Sequence, residues 1–310
     1  MPAGHAVGLK KLSPSEKAQY GAAGHVFPIA VLTPGELSAY QAHLRDFLAS
    51  DDWPLTPATR LKPHLYLKWV NDLVCHPAVL DAVEDILGPD LLVWFSILHF
   101  KPARGPAIDW HRDTVYRELD RDEVVTVWIA LTDSTEENGC VQFDSGSHVE
   151  AGSDSWVGGR KARPTQSPVS AVLRAGEASL HDLRIRHGSL PNRTDEHRCG
   201  VVARYFSAER VPCRRRAAAT LVRGADRFAR FDLEPAPRFD HDPLTAPWQA
   251  RYLRERSRAV LWTSLTQPRR LRTAARMLLN RSNLRFFWRS IRQRVTQAVT
   301  RRRDKLPEQG

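Results

Sequence analysis

Val124-Val-Thr-Val-Trp-Ile-Ala-Leu-Thr-Asp133 is a short run rich in Val, Ile and Thr with one aromatic, the composition of a strand. Leu91–Phe100, Val141–Phe143, Val169–Leu173, Ala178–His187 and Gly200–Ser207 share its texture. Glu136-Glu-Asn-Gly139, Ser145-Gly-Ser147 and Leu190-Pro-Asn-Arg193 stand between these runs as turns. Upstream the pattern is helical. Thr33-Pro-Gly-Glu36 is a capping box with Pro at the first helical position, opening an amphipathic helix to about Leu48. Val79–Leu87 reads as a second helix stopped by Gly88-Pro89, and Ala246–Leu261 returns to helical spacing. Residues 1–28 read as a loosely ordered arm or entry strand, and Asp51–Pro63 as a loop. Helices first, then many short strands with hairpin punctuation, predict a mainly β antiparallel sandwich or barrel with flanking helices. One domain over residues 1–262 accommodates all of it.

The charge is unevenly placed. The 310-residue chain carries +11, yet residues 263–310 hold 13 Lys and Arg against two acids, which leaves 33 of each sign in the first 262. The basic balance therefore describes a tail, and a nucleic-acid-binding body does not follow from it. With 42% hydrophobic residues the chain can fill a core, and its longest apolar runs fall far short of a membrane span. The N-terminus has no apolar segment of the secretory kind. Cys75, Cys140, Cys199 and Cys213 are widely spaced without a CxxC, which fits reduced thiols and a cytoplasmic location.

Asp109-Trp-His-Arg-Asp113 contains the only His-x-Asp of the chain. In a strand, residues two apart share a face, so His111 and Asp113 can address one metal ion. A third ligand is available in the run Ala178–His187, where His181 and His187 share a face. If that run is one extended strand, about 20 Å separates them and a single ion cannot take both. His187 is the better choice, because it ends the run before Gly188-Ser189 and a Pro-Asn turn. Two imidazoles and one carboxylate suit octahedral Fe(II) with open positions, although Zn(II) binds such a set as well. Arg198 follows eleven residues later, and a hairpin through Leu190–Glu196 would bring its guanidinium towards the metal pocket. An arginine alone most often ends in a surface ion pair, whereas a buried one needs an anion such as a carboxylate.

The sequence resembles the phytanoyl-CoA dioxygenase family of Fe(II)/2-oxoglutarate-dependent oxygenases. The resemblance rests on Trp110-His-Arg-Asp113, Val125–Asp133, Glu137-Asn-Gly-Cys140, Ser145-Gly-Ser-His148, Gly176–Asp182, His187-Gly-Ser189, Pro191-Asn192 and Arg198. Lys62-Pro-His64 and the run from His76 to Pro89 are also similar to bacterial members. It covers about residues 25–262 and implies a double-stranded β-helix, the cupin-like jelly roll, with helices outside. It implies that His111, Asp113 and His187 hold Fe(II), that Arg198 binds the distal carboxylate of 2-oxoglutarate with help from Ser189, and that Trp128 lines the cosubstrate pocket. O2 and 2-oxoglutarate would be consumed and succinate released as a small-molecule substrate is oxidised. Related halogenases carry Gly or Ala in place of the carboxylate. The presence of Asp113 therefore implies hydroxylation or another oxidative C–H reaction. Ser145 replaces the family's usual Pro, and Arg112 fills the middle of His-x-Asp, which bears on substrate contacts.

Three other residues ahead of the barrel, Lys62, His64 and Lys68, could reach substrate, with a solvated face the expected fate of the lysines. His148 is expected to be structural, and His181 a hydrogen-bonding core or pocket residue. Residues 269–303 alternate Arg with apolar positions at helical spacing. This basic helical tail suits packing on the barrel or a dimer mate, peripheral contact with an anionic membrane surface, or, least of all, an acidic partner or nucleic acid. Two other classes share these residues: a catalytically inactive cupin-like scaffold acting through the tail, and a Zn-dependent hydrolase using the same ligands. The second has no use for Arg198.

Overall fold

The computed structural model describes residues 11–50, 52, 57–113, 124–150, 163–209 and 217–255. The basic tail expected over 263–310 lies outside them. Among the described residues no helix is long and apolar enough to cross a membrane.

The chain enters through α1 (Pro14–Ala23) and β1 (His25–Ala30), so much of the stretch expected to be loose is ordered. A capping box explains α1: Ser13 accepts from the Glu16 amide, and the Glu16 carboxylate accepts from Ser13 N. Gly24 ends it in the left-handed region at φ 77°. The predicted capping box at Thr33 and Glu36 opens α2 (Pro34–Ala49). Short α3 (Pro57–Arg60), α4 (Lys68–Val74) and α5 (Pro77–Leu87) follow.

The strands are β2 (Leu91–Lys101), β3 (Ile108–His111), β4 (Val124–Ala130), β5 (Val141–Phe143), β6 (Val169–Ala171), β7 (Glu177–Asp182), β8 (His187–Ser189), β9 (Arg198–Ser207), β10 (Ala218–Arg223) and β11 (Asp232–Leu233). They form a large sheet, β1-β7-β4-β9-β2-β10-β11, and a small one, β3-β8-β5-β6, antiparallel except for the β10–β11 pair. This is the predicted two-sheet β architecture with helices outside.

Alternation divides the large sheet into two faces. Val125, Val127, Ile129, Leu180, Val201, Ala203 and Tyr205 belong to one apolar cluster with Leu73 of α4 and Val79 and Val83 of α5. Each Val, Leu or Ile among them contributes about 1.5–3 kcal/mol by leaving water. The opposite face meets the small sheet, where Phe143 lies 5.0 Å, ring to ring, from both His25 and His181. That inner face is unusually polar, and it runs in registered rows. His25, His181, Thr126, Arg204 and Phe95 lie side by side across β1, β7, β4, β9 and β2. Ser179, Trp128, Val202 and Ile97 form the next row, then Ala130, Gly200 and His99, and finally Arg198 beside Lys101.

Candidate metal centre and anion site

His111 on β3 and His187 on β8 are registered partners across the small sheet, with ring centroids 4.3 Å apart. Asp113 follows two residues on, and one ligand atom from each of the three lies within 4.8 Å of the others. Each imidazole is oriented by its own backbone. Nδ1–H of His111 donates to Asp109 O at 2.8 Å and Nδ1–H of His187 to Ile185 O at 3.1 Å, which leaves both Nε2 lone pairs for a metal. Burial, with His111 nearby, lowers the His187 pKa to about 4, so this ligand is neutral at physiological pH. Burial opposes the charge on Asp113, but Arg204, whose Nη2 donates to Oδ1 at 2.6 Å, and the neighbouring imidazoles outweigh it. The carboxyl stays well below its usual range. Arg204 also lies over the Phe95 ring at 4.9 Å.

The other end of the inner face holds two cations. Arg198 is 0% exposed and donates from Nη1 to Ser134 Oγ at 3.2 Å, while its Nε and Nη2 have no partner among the described residues. Its guanidinium lies 5.1 Å from the Trp128 ring, which is two rows nearer the metal cluster. Gly200 makes that approach fit: a Cβ there would lie 2.7 Å from Trp128 Cζ2 and 2.6 Å from Ile129 O. Lys101, 2% exposed and registered with Arg198, donates to Ser189 Oγ at 2.7 Å, to Gly139 O at 3.2 Å and to Leu190 O. Among the described residues no carboxylate pairs with either cation. Burial, then the charge of Arg198, pulls the Lys101 pKa down to about 8, and burial lowers that of Arg198 to about 10. Two buried like charges side by side are costly unless an anion joins them. The donor set fits a carboxylate: a guanidinium fork, an ammonium and hydroxyls.

Several expectations need correction. Ala178–His187 is not one strand. The chain turns after Asp182, β7 and β8 belong to different sheets, and the His181 and His187 rings are 5.1 Å apart. Distance therefore does not exclude His181. It lies instead outside the cluster, 3% exposed, with neither nitrogen partnered among the described residues. No hairpin links β8 to β9; the chain crosses from the small sheet to the large one, and Arg198 arrives between β4 and β2. Lys62 is buried against Glu234 instead of solvated, His64 is buried beside Ser96, and Lys68 pairs with Asp72 at the surface. Arg112 points away from the cluster, to Arg184 O and Glu150. His148 binds Gly21 O at 3.1 Å, in keeping with a structural role, and Ser145 Oγ meets His25 Nε2 at 2.7 Å. Lys101 and Arg204 were missed. Arg204 lies six residues past Arg198 on one strand, a parity that puts both on one face.

The fold and this pairing of a His-Asp-His cluster with a buried cation pair define the class of non-haem Fe(II)/2-oxoglutarate-dependent dioxygenases, whose cofactors are Fe(II), 2-oxoglutarate and O2. The phytanoyl-CoA dioxygenase (PhyH) family model matches residues 20–200, and the chain belongs to that family. It is similar to a probable alpha-ketoglutarate-dependent hypophosphite dioxygenase of Stutzerimonas stutzeri, 28% identical over an alignment of 164 positions that covers 48% of this chain and 57% of the relative. The chain thus spans little more than half the length of that curated relative. A solved structure of the non-heme monooxygenase ThoJ as a Ni complex is 32% identical, with a TM-score of 0.69 over 80% of this chain and 99% of that one. The non-heme alpha ketoglutarate dependent epimerase SnoN from nogalamycin biosynthesis is 27% identical, with a TM-score of 0.56 over 63% of this chain and 82% of that one.

Proposed function

We propose that this chain uses Fe(II), 2-oxoglutarate and O2 to hydroxylate, or otherwise oxidise, an unactivated C–H bond of a small molecule. In hydroxylation one O2 and one 2-oxoglutarate give CO2 and succinate, with one oxygen atom in succinate and the other in the new C–OH group. The observation that carries the reading is the unneutralised Lys101–Arg198 pair on the inner face of the large sheet, bonded through Lys101 to Ser189 on β8, the strand of the small sheet that carries His187 of the His111, Asp113 and His187 cluster.

In this reading His111, Asp113 and His187 hold the iron, which when bound supplies the chelation of the 2-oxo acid and the reduction of O2. Arg198 binds the distal carboxylate through Nε and Nη2, the neighbouring Lys101 ammonium adds its charge, Ser189 orients that ammonium, and Trp128 forms the wall against which the guanidinium lies. Arg204 holds one oxygen of Asp113 and keeps the carboxylate ionised. A carboxylate at Asp113, where related halogenases carry Gly or Ala, supports C–H oxidation over halogenation. A Zn-dependent hydrolase would leave the buried cation pair without a purpose, and so would a scaffold acting through the tail.

The test is an anaerobic titration of purified protein with Fe(II) and then 2-oxoglutarate, followed by the visible charge-transfer band of a chelated 2-oxo acid. A saturable band in wild type that Asp113→Ala removes supports the reading. No band at millimolar 2-oxoglutarate, with iron bound, rejects it.

A further inference from the structure

Residues beside the metal cluster are held from behind by a closed set of charges. Arg112, one residue past β3, and Arg186, one residue before β8, both turn to Glu150. Arg112 donates from Nη1 to Arg184 O at 2.6 Å and from Nη2 to Glu150 Oε2 at 2.9 Å. Arg186 donates from Nη2 to Glu150 Oε1 at 2.6 Å, from Nη1 to Glu150 Oε2, and from Nε to Asp144 Oδ2 at 2.8 Å. Thr165 Oγ1 accepts a further bond from Arg186 at 2.9 Å. Two guanidinium groups meet two carboxylates, so this network is neutral, unlike the Lys101–Arg198 pair.

The segment that supplies both acids is Asp144-Ser-Gly-Ser-His-Val-Glu150, whose Ser-Gly-Ser-His core was noted in the sequence without a chemical role. Its parts have one. Ser147 Oγ accepts from Arg186 N at 2.9 Å, and Asp144 N donates to Arg186 O at 3.0 Å. Gly146 turns the chain at φ 76°, its amide bonding Ala23 O at 2.8 Å, while His148 ties the segment to Gly21 O in α1. The loop is thus anchored to the N-terminal helix and grips the β8 end from outside.

That grip matters because the ladder carrying the ligands is short. β3 and β8 share only the pairs Ile108–Ser189 and His111–His187, with an irregularity between them. Arg112 and Glu150 add a side-chain tie between the 111–113 segment and the 184–187 segment. Resting on the reading that His111, Asp113 and His187 are the metal ligands, we propose that Glu150 is a positioning residue. Through Arg112 and Arg186 it sets the spacing of the two ligand-bearing segments, and so the affinity and geometry of the metal site.

The experiment is an anaerobic titration of the full chain with Co(II) alone, read by its visible ligand-field bands, for wild type, Glu150→Gln, Arg112→Met and the double variant. Groups that orient metal ligands are worth about 10- to 100-fold in affinity, and each single variant is expected to lose at least about 10-fold. The double variant is expected to lose no more than the worse single one, because the two act as one unit. Denaturant unfolding of the metal-free proteins reports any general loss of fold. Should Glu150→Gln fail to fold, Arg112→Lys keeps the charge but not the fork, and the same loss of affinity is expected. Affinity within twofold of wild type in the folded variants, or losses that multiply in the double variant, would overturn the proposal. His111→Ala in the same series separates the two readings: wild-type Co(II) binding there would refute the ligand assignment itself.

Discussion

Two buried lysines, Lys62 in the segment bonded to Ser96 of β2 and Lys101 at the end of that strand, differ in what neutralises them. Lys62, 1% exposed, pairs with Glu234, whose other oxygen accepts from Thr220 Oγ1 at 3.1 Å, and the ammonium also faces the Tyr252 ring at 5.2 Å. Lys101, 2% exposed, pairs with no carboxylate among the described residues and stands beside a second cation, Arg198. The first network is complete within the chain and ties the segment around Glu234 to the one preceding β2. The second becomes electrically complete only with an anion from outside. Buried charge by itself does not mark a functional site; buried charge without its counterion does.

The comparison breaks most sharply at Lys62. Lys62→Met should leave Glu234 buried without its cation and cost about 3–5 kcal/mol of stability, read from urea unfolding near neutral pH. An unchanged midpoint would mean that the pair is not a structural tie. Arg198→Ala should leave iron binding intact and weaken 2-oxoglutarate binding by about 2–5 kcal/mol, at least ~30-fold, in an anaerobic titration. Lys101→Met is the informative middle case. It should raise the 2-oxoglutarate requirement about 10-fold, as expected for the loss of one neighbouring cation. A loss of stability at Lys62 and a loss of 2-oxoglutarate binding at Lys101 and Arg198 are the signatures of the two network types.

The smallest effect is a pH dependence. The Lys101 pKa in the folded protein is lowered to about 8 from an ordinary 10.5, so between these values the unfolded chain binds a proton that the folded one does not. Stability of the metal-free protein should therefore rise with pH across that window, and Lys101→Met should remove this component of the rise. The same deprotonation removes a cation from the anion site, so 2-oxoglutarate binding should weaken as pH passes about 8. A wild-type and Lys101→Met pair with identical pH profiles would contradict both statements.

Much of the architecture was legible because short-range pattern carried it. The β-rich runs and the Thr33–Glu36 capping box became the expected elements, and Ser13–Glu16 carries the same signature for α1. His111 and Asp113 could be paired by their spacing, and they share one cluster although β3 ends at His111. The turn after Asp182 was hidden, since Leu183-Arg-Ile-Arg186 contains no Gly or Pro. It is made by the Asp182 side chain, which accepts from Arg184 N at 2.7 Å, and by Ile185 N bonding Asp182 O at 3.1 Å. Charge partnerships were equally hidden. Lys62 meets Glu234 from 172 residues away, and Lys101 meets Arg198 through sheet register, which no local window shows. Arg112 was judged by its place between two ligands, whereas its partners Arg184 O and Glu150 determine what it does.

The central claim, that Lys101 and Arg198 recognise a distal carboxylate, is tested most directly by comparing two 2-oxo acids on the Fe(II)-loaded protein under anaerobic conditions. 2-Oxoglutarate has that carboxylate and 2-oxobutyrate does not. The account predicts that the charge-transfer band appears at far lower concentrations of 2-oxoglutarate than of 2-oxobutyrate, and that Arg198→Ala brings the two titrations together by weakening only the first. Equal titrations in wild type, or a preference for 2-oxoglutarate that survives Arg198→Ala and Lys101→Met, would contradict it.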